Sequence, residues 1–136
     1  MLVLEKSVCE SIVEHARRGT PEEVCGLLAG RSGELDLITR NYETANVAVE
    51  PRATYAIDPE EQYRLMTEID ETGLDLIGFY HSHPASPAEP SPIDRDRATW
   101  EGYRYLIVSL AGSTPVLDAW RLTGDGFERD TVSVRN

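Results

Sequence analysis

The chain has 136 residues, 40% of them hydrophobic and 27% charged, and a formal net charge of −11. That length suits one domain with one core over residues 1–136. The acid excess, with no basic stripe, argues against nucleic-acid binding, and no apolar run approaches the ~20 residues that cross a bilayer, so no membrane association is expected. Met1 to Lys6 does not open a signal-peptide core, which points to the cytoplasm. Lys6 is the only lysine against twelve arginines. High-salt adaptation and a GC-rich genome would both produce that bias. Cys9 and Cys25 are far apart and form no Cys-x-x-Cys, so they read as reduced thiols and exclude a cysteine-built zinc site.

In chain order, Glu5 to Arg18 is predicted as a helix, because Val8, Ile12 and Ala16 recur at four-residue spacing and Gly19 can end it. His15 on this helix has no partner pattern and reads as a surface or satisfied core histidine. Thr20-Pro21 is a break. Glu23 to Ala29 reads as a strand, Gly30 to Gly33 as a hairpin turn and Glu34 to Arg40 as the partner strand. Asn41 to Pro51 is polar and looks like a connection, and Thr54 to Ile57 like a short strand. Asp58-Pro59-Glu60-Glu61 is a helix start, with Asp at the cap and Pro at the first helical position. That helix is expected to reach Thr72, with Tyr63, Met66 and Ile69 inward. Leu74 to Tyr80 reads as a buried strand, Pro92 to Trp100 as a short helix, and Tyr103 to Leu110, Val116 to Leu122 and Phe127 to Val134 as three strands. The pattern predicts an α/β domain with a mixed sheet flanked by helices.

The chemistry concentrates after the fourth predicted strand. Two of the chain's three histidines stand at His81 and His83, then seven residues, Ser91, two residues and Asp94. Residues two apart on a strand share a face, so both imidazoles project together. Pro84, Pro87, Pro90 and Pro92 stiffen the loop that follows. Ser91-Pro92-Ile93-Asp94 starts a helix with an acid at its third position. A rigid loop can thus return a carboxylate to two imidazoles, the donor set of a catalytic zinc site with one open position. Asp96 competes with Asp94 as third ligand, but Asp94 fits the cap better. Amide hydrolysis also needs a base beside the metal. Glu23, at the head of an apolar strand, is the best candidate. Its neighbour Glu22 would face the other way, so only one of the two can aim at the metal.

Glu23-Val24-Cys25-Gly26-Leu27, His81-Ser82-His83 and Ser91-x-x-Asp94 together resemble the JAMM (MPN+) metalloprotease signature at every position, across essentially the whole chain. The resemblance implies an MPN domain with a cytidine-deaminase-like three-layer arrangement, and one zinc ion held by His81, His83 and Asp94. It assigns Glu23, the acid three before Gly26, as general base and acid. Ser91 would position the water or stabilise the oxyanion. It also implies, as substrates, conjugates of ubiquitin-like modifiers cleaved after the terminal glycine. An alternative is a ubiquitin-like sulfur carrier that loses an amino acid, and a second is a non-catalytic MPN scaffold. A monomer or homodimer is compatible with either activity. Cys25 would share a strand face with Glu23, where a buried structural thiol is expected over a redox-active one.

Overall fold

The computed structural model describes all of residues 1–136. The elements are β1 (Leu2–Glu5), α1 (Lys6–Gly19), β2 (Cys25–Arg31), β3 (Asp36–Thr44), α2 (Pro59–Glu71), β4 (Asp75–His83), α3 (Pro92–Arg97), β5 (Arg104–Ser109), β6 (Val116–Thr123), β7 (Gly126–Asp130) and β8 (Val132–Arg135). The eight strands form one mixed sheet in the order β7-β6-β5-β4-β2-β3-β1-β8.

Side-chain alternation along the central strands builds a core on each face. Leu28, Tyr80 and Leu106 pack with Val8, Ile12 and Ala16 of α1. Their neighbours Leu27, Phe79 and Tyr105 pack with Leu65 and Ile69 of α2. Helix, sheet and helix therefore make three layers, as the resemblance implied. Burying each large aliphatic side chain stabilises the fold by roughly 1.5–3 kcal/mol. On α1, Arg17 and Arg18 occupy the last turn, where cations favour the helix dipole.

Several sequence expectations give way to the fold. Leu2 to Glu5 is a strand, inserted in parallel between β3 and β8; it runs into α1 with no turn residue to announce it. Phe127 to Val134 is two strands, one on each edge of the sheet. The sheet curls until its edges share this stretch of chain, and at the switch Thr131 accepts a hydrogen bond from Leu2 N–H at 2.8 Å. Thr54 to Ile57 joins no ladder, because Thr54 C=O and Ala56 N–H bond the side chain of Asn46 instead. In α2 the buried stripe is Leu65 and Ile69. Tyr63, two positions before Leu65 and so on the other side, is 75% exposed. α3 stops at Arg97, because Ala98 takes extended backbone. Trp100 therefore packs from the following loop against Phe79, ring centroids 5.5 Å apart.

The curl is locked by Arg104, which is 4% exposed. Its guanidinium donates to Asp130 at 2.7 Å and to Asp36 at 2.8 Å, so it ties β5 to β7 and β3. Removing the cation from such a group takes the guanidinium from two half-buried carboxylates, and such losses are costly. Arg104→Leu is expected to cost about 3 kcal/mol of unfolding free energy, read as a lower midpoint in urea denaturation. A midpoint equal to that of the parent protein would show that the cluster contributes nothing net.

Candidate metal centre

β4 carries both histidines inside the sheet. It extends to His83 because β5 runs beside it in parallel, pairing Ile107 with His81 and Ser109 with His83. On its other side β2 pairs antiparallel, Cys25 opposite His81. The pairing continues one residue beyond β2, and Ser82 makes that extension. Its N–H donates to Val24 C=O at 3.0 Å, while its hydroxyl oxygen accepts Val24 N–H at 2.8 Å. The serine between the histidines thus fastens the segment that carries Glu23. Gly26 lets the strands approach, since a Cβ there would overlap the Tyr80 ring and the Tyr42 carbonyl.

Asp94 arrives by its helix cap. Ser91 Oγ accepts Asp94 N–H at 3.0 Å, and Asp94 Oδ2 accepts Ser91 N–H at 2.9 Å. The proline-rich loop leading there is pinned at three successive carbonyls: Ser109 Oγ donates to Ser86, His83 Nδ1 to Pro87 and Trp120 Nε1 to Ala88. The Pro87 contact, at 2.7 Å, places the proton on Nδ1 of His83. In the neutral ring Nε2 then presents its lone pair to the centre.

Three donor atoms converge there. Nε2 of His81 lies 3.2 Å from Nε2 of His83, and each lies 3.1 Å from Asp94 Oδ2. Ligand atoms around a tetrahedral zinc, with bonds of roughly 2.0–2.1 Å, stand about 3.3 Å apart. The Glu23 carboxylate completes a group whose ligand atoms all lie within 4.8 Å of one another. Glu23 Oε1 is buried with no hydrogen-bond partner, an expensive arrangement unless something else fills the centre. The donor set fits a divalent metal on geometry, on ligand chemistry and on this orphaned oxygen.

Protonation in the metal-free protein agrees at two of the three donors. Burial keeps His81 below the ordinary histidine range. For Asp94, burial opposes ionisation, yet the bonds from His81 and His83 hold its carboxyl well below the usual range. Metal ligation needs that pair of states, neutral imidazole and ionised carboxylate. At His83 burial lowers the pKa, but the bonds to Asp94 and Pro87 outweigh burial and raise it, so a metal must displace the proton this ring gains as pH falls. Burial raises Glu23 to about 7, with His83 drawing it down and Asp94 pushing it up. Burial also raises the Cys25 thiol to about 11, which favours the inert structural reading.

The structure brings Glu23, His81, His83 and Asp94 together and leaves Glu22 and Asp96 exposed, outside the group. Ser91 sits at the cap beside Asp94. His15 is a satisfied core residue, its Nδ1 2.8 Å from the Tyr80 hydroxyl. Sequence reasoning missed Tyr55, whose ring stacks on His81 with centroids 4.3 Å apart, and the two loop anchors Ser109 and Trp120. A buried indole N–H needs an acceptor, which was the one available hint for Trp120. A cavity of 230 Å³ opens beside Asp94, walled by Tyr55, Ile57, Phe79, Trp100 and Tyr105.

The family model for prokaryotic homologues of the JAB domain matches residues 5–123. The chain belongs to this family. Desampylase of Haloferax volcanii is 44% identical over 137 residues, covering 98% of this chain and 96% of that protein. CysO-cysteine peptidase of Mycobacterium tuberculosis is 34% identical over 109 residues, covering 80% of this chain and 73% of the relative. A solution structure of a Desulfitobacterium hafniense protein superposes with a TM-score of 0.91 at 34% identity, covering 100% and 94% of the two chains. JAB-domain peptidases of the JAMM type depend on a metal, and the His-His-Asp-Glu group supplies the residues to hold one.

The buried Glu23 makes a stability prediction for the metal-free protein. Its carboxyl ionises near 4.5 when exposed and at about 7 when folded. Its folded-state pKa is raised, so its contribution is fully present below the lower value and is lost as pH rises through the upper one. Glu23→Gln removes that loss. In chelator its melting temperature should exceed that of the parent protein at about pH 8, and the difference should shrink towards about pH 4. Thermal melts across that range check it; a gap independent of pH would show that burial of the charge is not the cause.

Proposed function

We propose that this chain is a zinc-dependent isopeptidase, with one zinc per chain, that hydrolyses the bond after the C-terminal glycine of a ubiquitin-like modifier in the cytoplasm. The observation that carries the reading is the buried Glu23 carboxylate set against three convergent ligand atoms. His81, His83 and Asp94 suffice to hold the ion, which leaves Glu23 free to move protons. The full-length likeness to a desampylase supports the substrate class.

Zinc, when bound, polarises the scissile carbonyl and lowers the pKa of water towards about 7. Glu23 accepts the proton of the attacking water and passes it to the leaving amine. Its burial and its nearness to neutrality in the metal-free protein suit both halves of that transfer. His83 is held in one tautomer by Pro87, and Tyr55 packs on the face of His81, so neither imidazole can rotate away. Ser91 Oγ accepts the Asp94 N–H and keeps its own proton to donate to the developing oxyanion. A di-glycine tail, lacking side chains, can lie extended beside the centre where bulkier residues would collide.

The likeness to a CysO-cysteine peptidase supports a second reading, release of an amino acid from a ubiquitin-like sulfur carrier. The two differ in the leaving amine and not in the machinery. Incubation with a ubiquitin-like protein joined to lysine should give chelator-sensitive cleavage, faster than cleavage of a sulfur-carrier adduct. Glu23→Gln should lower kcat by roughly 10²–10⁴-fold with one zinc still bound by metal analysis. Undiminished hydrolysis in that variant overturns the role of Glu23, and preferred turnover of the adduct selects the second reading.

A further inference from the structure

Glu23 lies outside the regular ladder, so something other than sheet pairing must hold it. Its N–H donates to Pro51 C=O at 2.8 Å, and its C=O accepts Asn46 Nδ2 at 2.9 Å. Both partners belong to the segment from residue 45 to 57, which has no regular structure of its own. The carboxamide of Asn46 organises that segment. Nδ2 also donates to Thr54 C=O at 3.0 Å, and Oδ1 accepts the N–H groups of Ala48 and Ala56, each at 3.1 Å. Every hydrogen-bonding position of the side chain is used. Thr54 and Ala56 flank Tyr55, the ring stacked on His81. Asn46 therefore ties three things in one plane: the main chain of Glu23, the turn at Ala48 and the two residues that aim Tyr55.

We propose that Asn46 is a positioning residue, fixing the Glu23 carboxylate and the Tyr55 ring against the metal centre by clamping the 45–57 segment onto the Glu23 peptide. This rests on the hydrolytic reading above. Few side chains can substitute. Aspartate has the size and both acceptors but no N–H, and would set its charge against two carbonyl oxygens. Alanine makes none of the four bonds. The clamp touches none of the three proposed zinc ligands, so its loss should leave metal binding intact while the base drifts. A small misplacement of a proton-transferring group is enough to cost a large factor in rate.

The test uses Asn46→Asp and Asn46→Ala in the zinc-loaded protein, with amide hydrogen exchange read beside kinetics. Exchange protection at Glu23, Ala48 and Ala56 should fall at least tenfold, while Leu27 and Phe79 in the central strands keep theirs. Zinc should stay at one per chain, since His81 and His83 remain fixed to β4 and Asp94 to its helix cap. In hydrolysis kcat should fall ten- to a hundredfold, with KM altered less than about twofold. Unchanged protection at Glu23 overturns the clamp. Loosened protection with an unchanged kcat, or zinc lost in step with activity, overturns the positioning role. If the parent protein cleaves no ubiquitin-like conjugate, the substrate reading fails, and the exchange data still decide whether Asn46 holds Glu23.

Discussion

One oxygen atom, Oδ2 of Asp94, accepts the Ser91 N–H that starts α3 and also lies 3.1 Å from both imidazoles. Its two duties constrain each other. A capping carboxylate must stand near the first turn of its own helix, so wherever α3 begins, the third candidate ligand follows. The start of α3 is set in turn by the loop before it, and that loop hangs from the sheet at Ser86, Pro87 and Ala88. Prolines remove main-chain donors, so the loop cannot hold itself. Its carbonyls are satisfied instead by side chains of β4, β5 and β6. The ligand is thus positioned by the sheet, at second hand, through a chain of directional bonds that each tolerate little movement.

The same logic governs the other half of the centre. Glu23 stands 58 residues before His81, and the antiparallel pairing of β2 with β4 closes that distance. Gly26 and Ser82 are the two residues that make the closure tight. The first removes a Cβ that would strike Tyr80; the second extends the pairing to Val24 by two hydrogen bonds. Between them they explain why the motif is more than a set of ligands and a base. Its small and polar members bring the chemical ones into register.

Much of this was legible from the residues. His81 and His83 share a face because strands alternate, and Asp94 returns because Ser, Pro and Asp at those spacings start a helix. These are local rules, and the local rules held. What escaped is non-local. β1 is only an apolar triplet in sequence; it becomes a strand because β3 and β8 flank it. The break at Thr131 follows from the curl of the sheet, which Arg104 secures from β5. Tyr63 was misplaced by reading spacing without the partner surface, and Leu65 took the buried stripe. The segment around Asn46 looked like a polar connection because its order comes from one carboxamide, and a lone Asn in a polar run carries no periodic signal.

The centre itself is indifferent to what departs from the scissile carbonyl. A base that returns a proton to an amine serves a lysine side chain and a free amino acid equally well. Selection between such substrates therefore falls to the surfaces that meet the two sides of the bond. In this chain the surfaces beside the centre include the cavity walled by Tyr55, Phe79, Trp100 and Tyr105 and the 45–57 segment that supplies Tyr55. That segment also braces Glu23, so the wall and the proposed base are mechanically one unit. A change that reshapes the wall by shifting this segment should disturb the base as well. Side chains that line the cavity without disturbing the carboxamide bonds of Asn46 can change the wall and leave Glu23 in place.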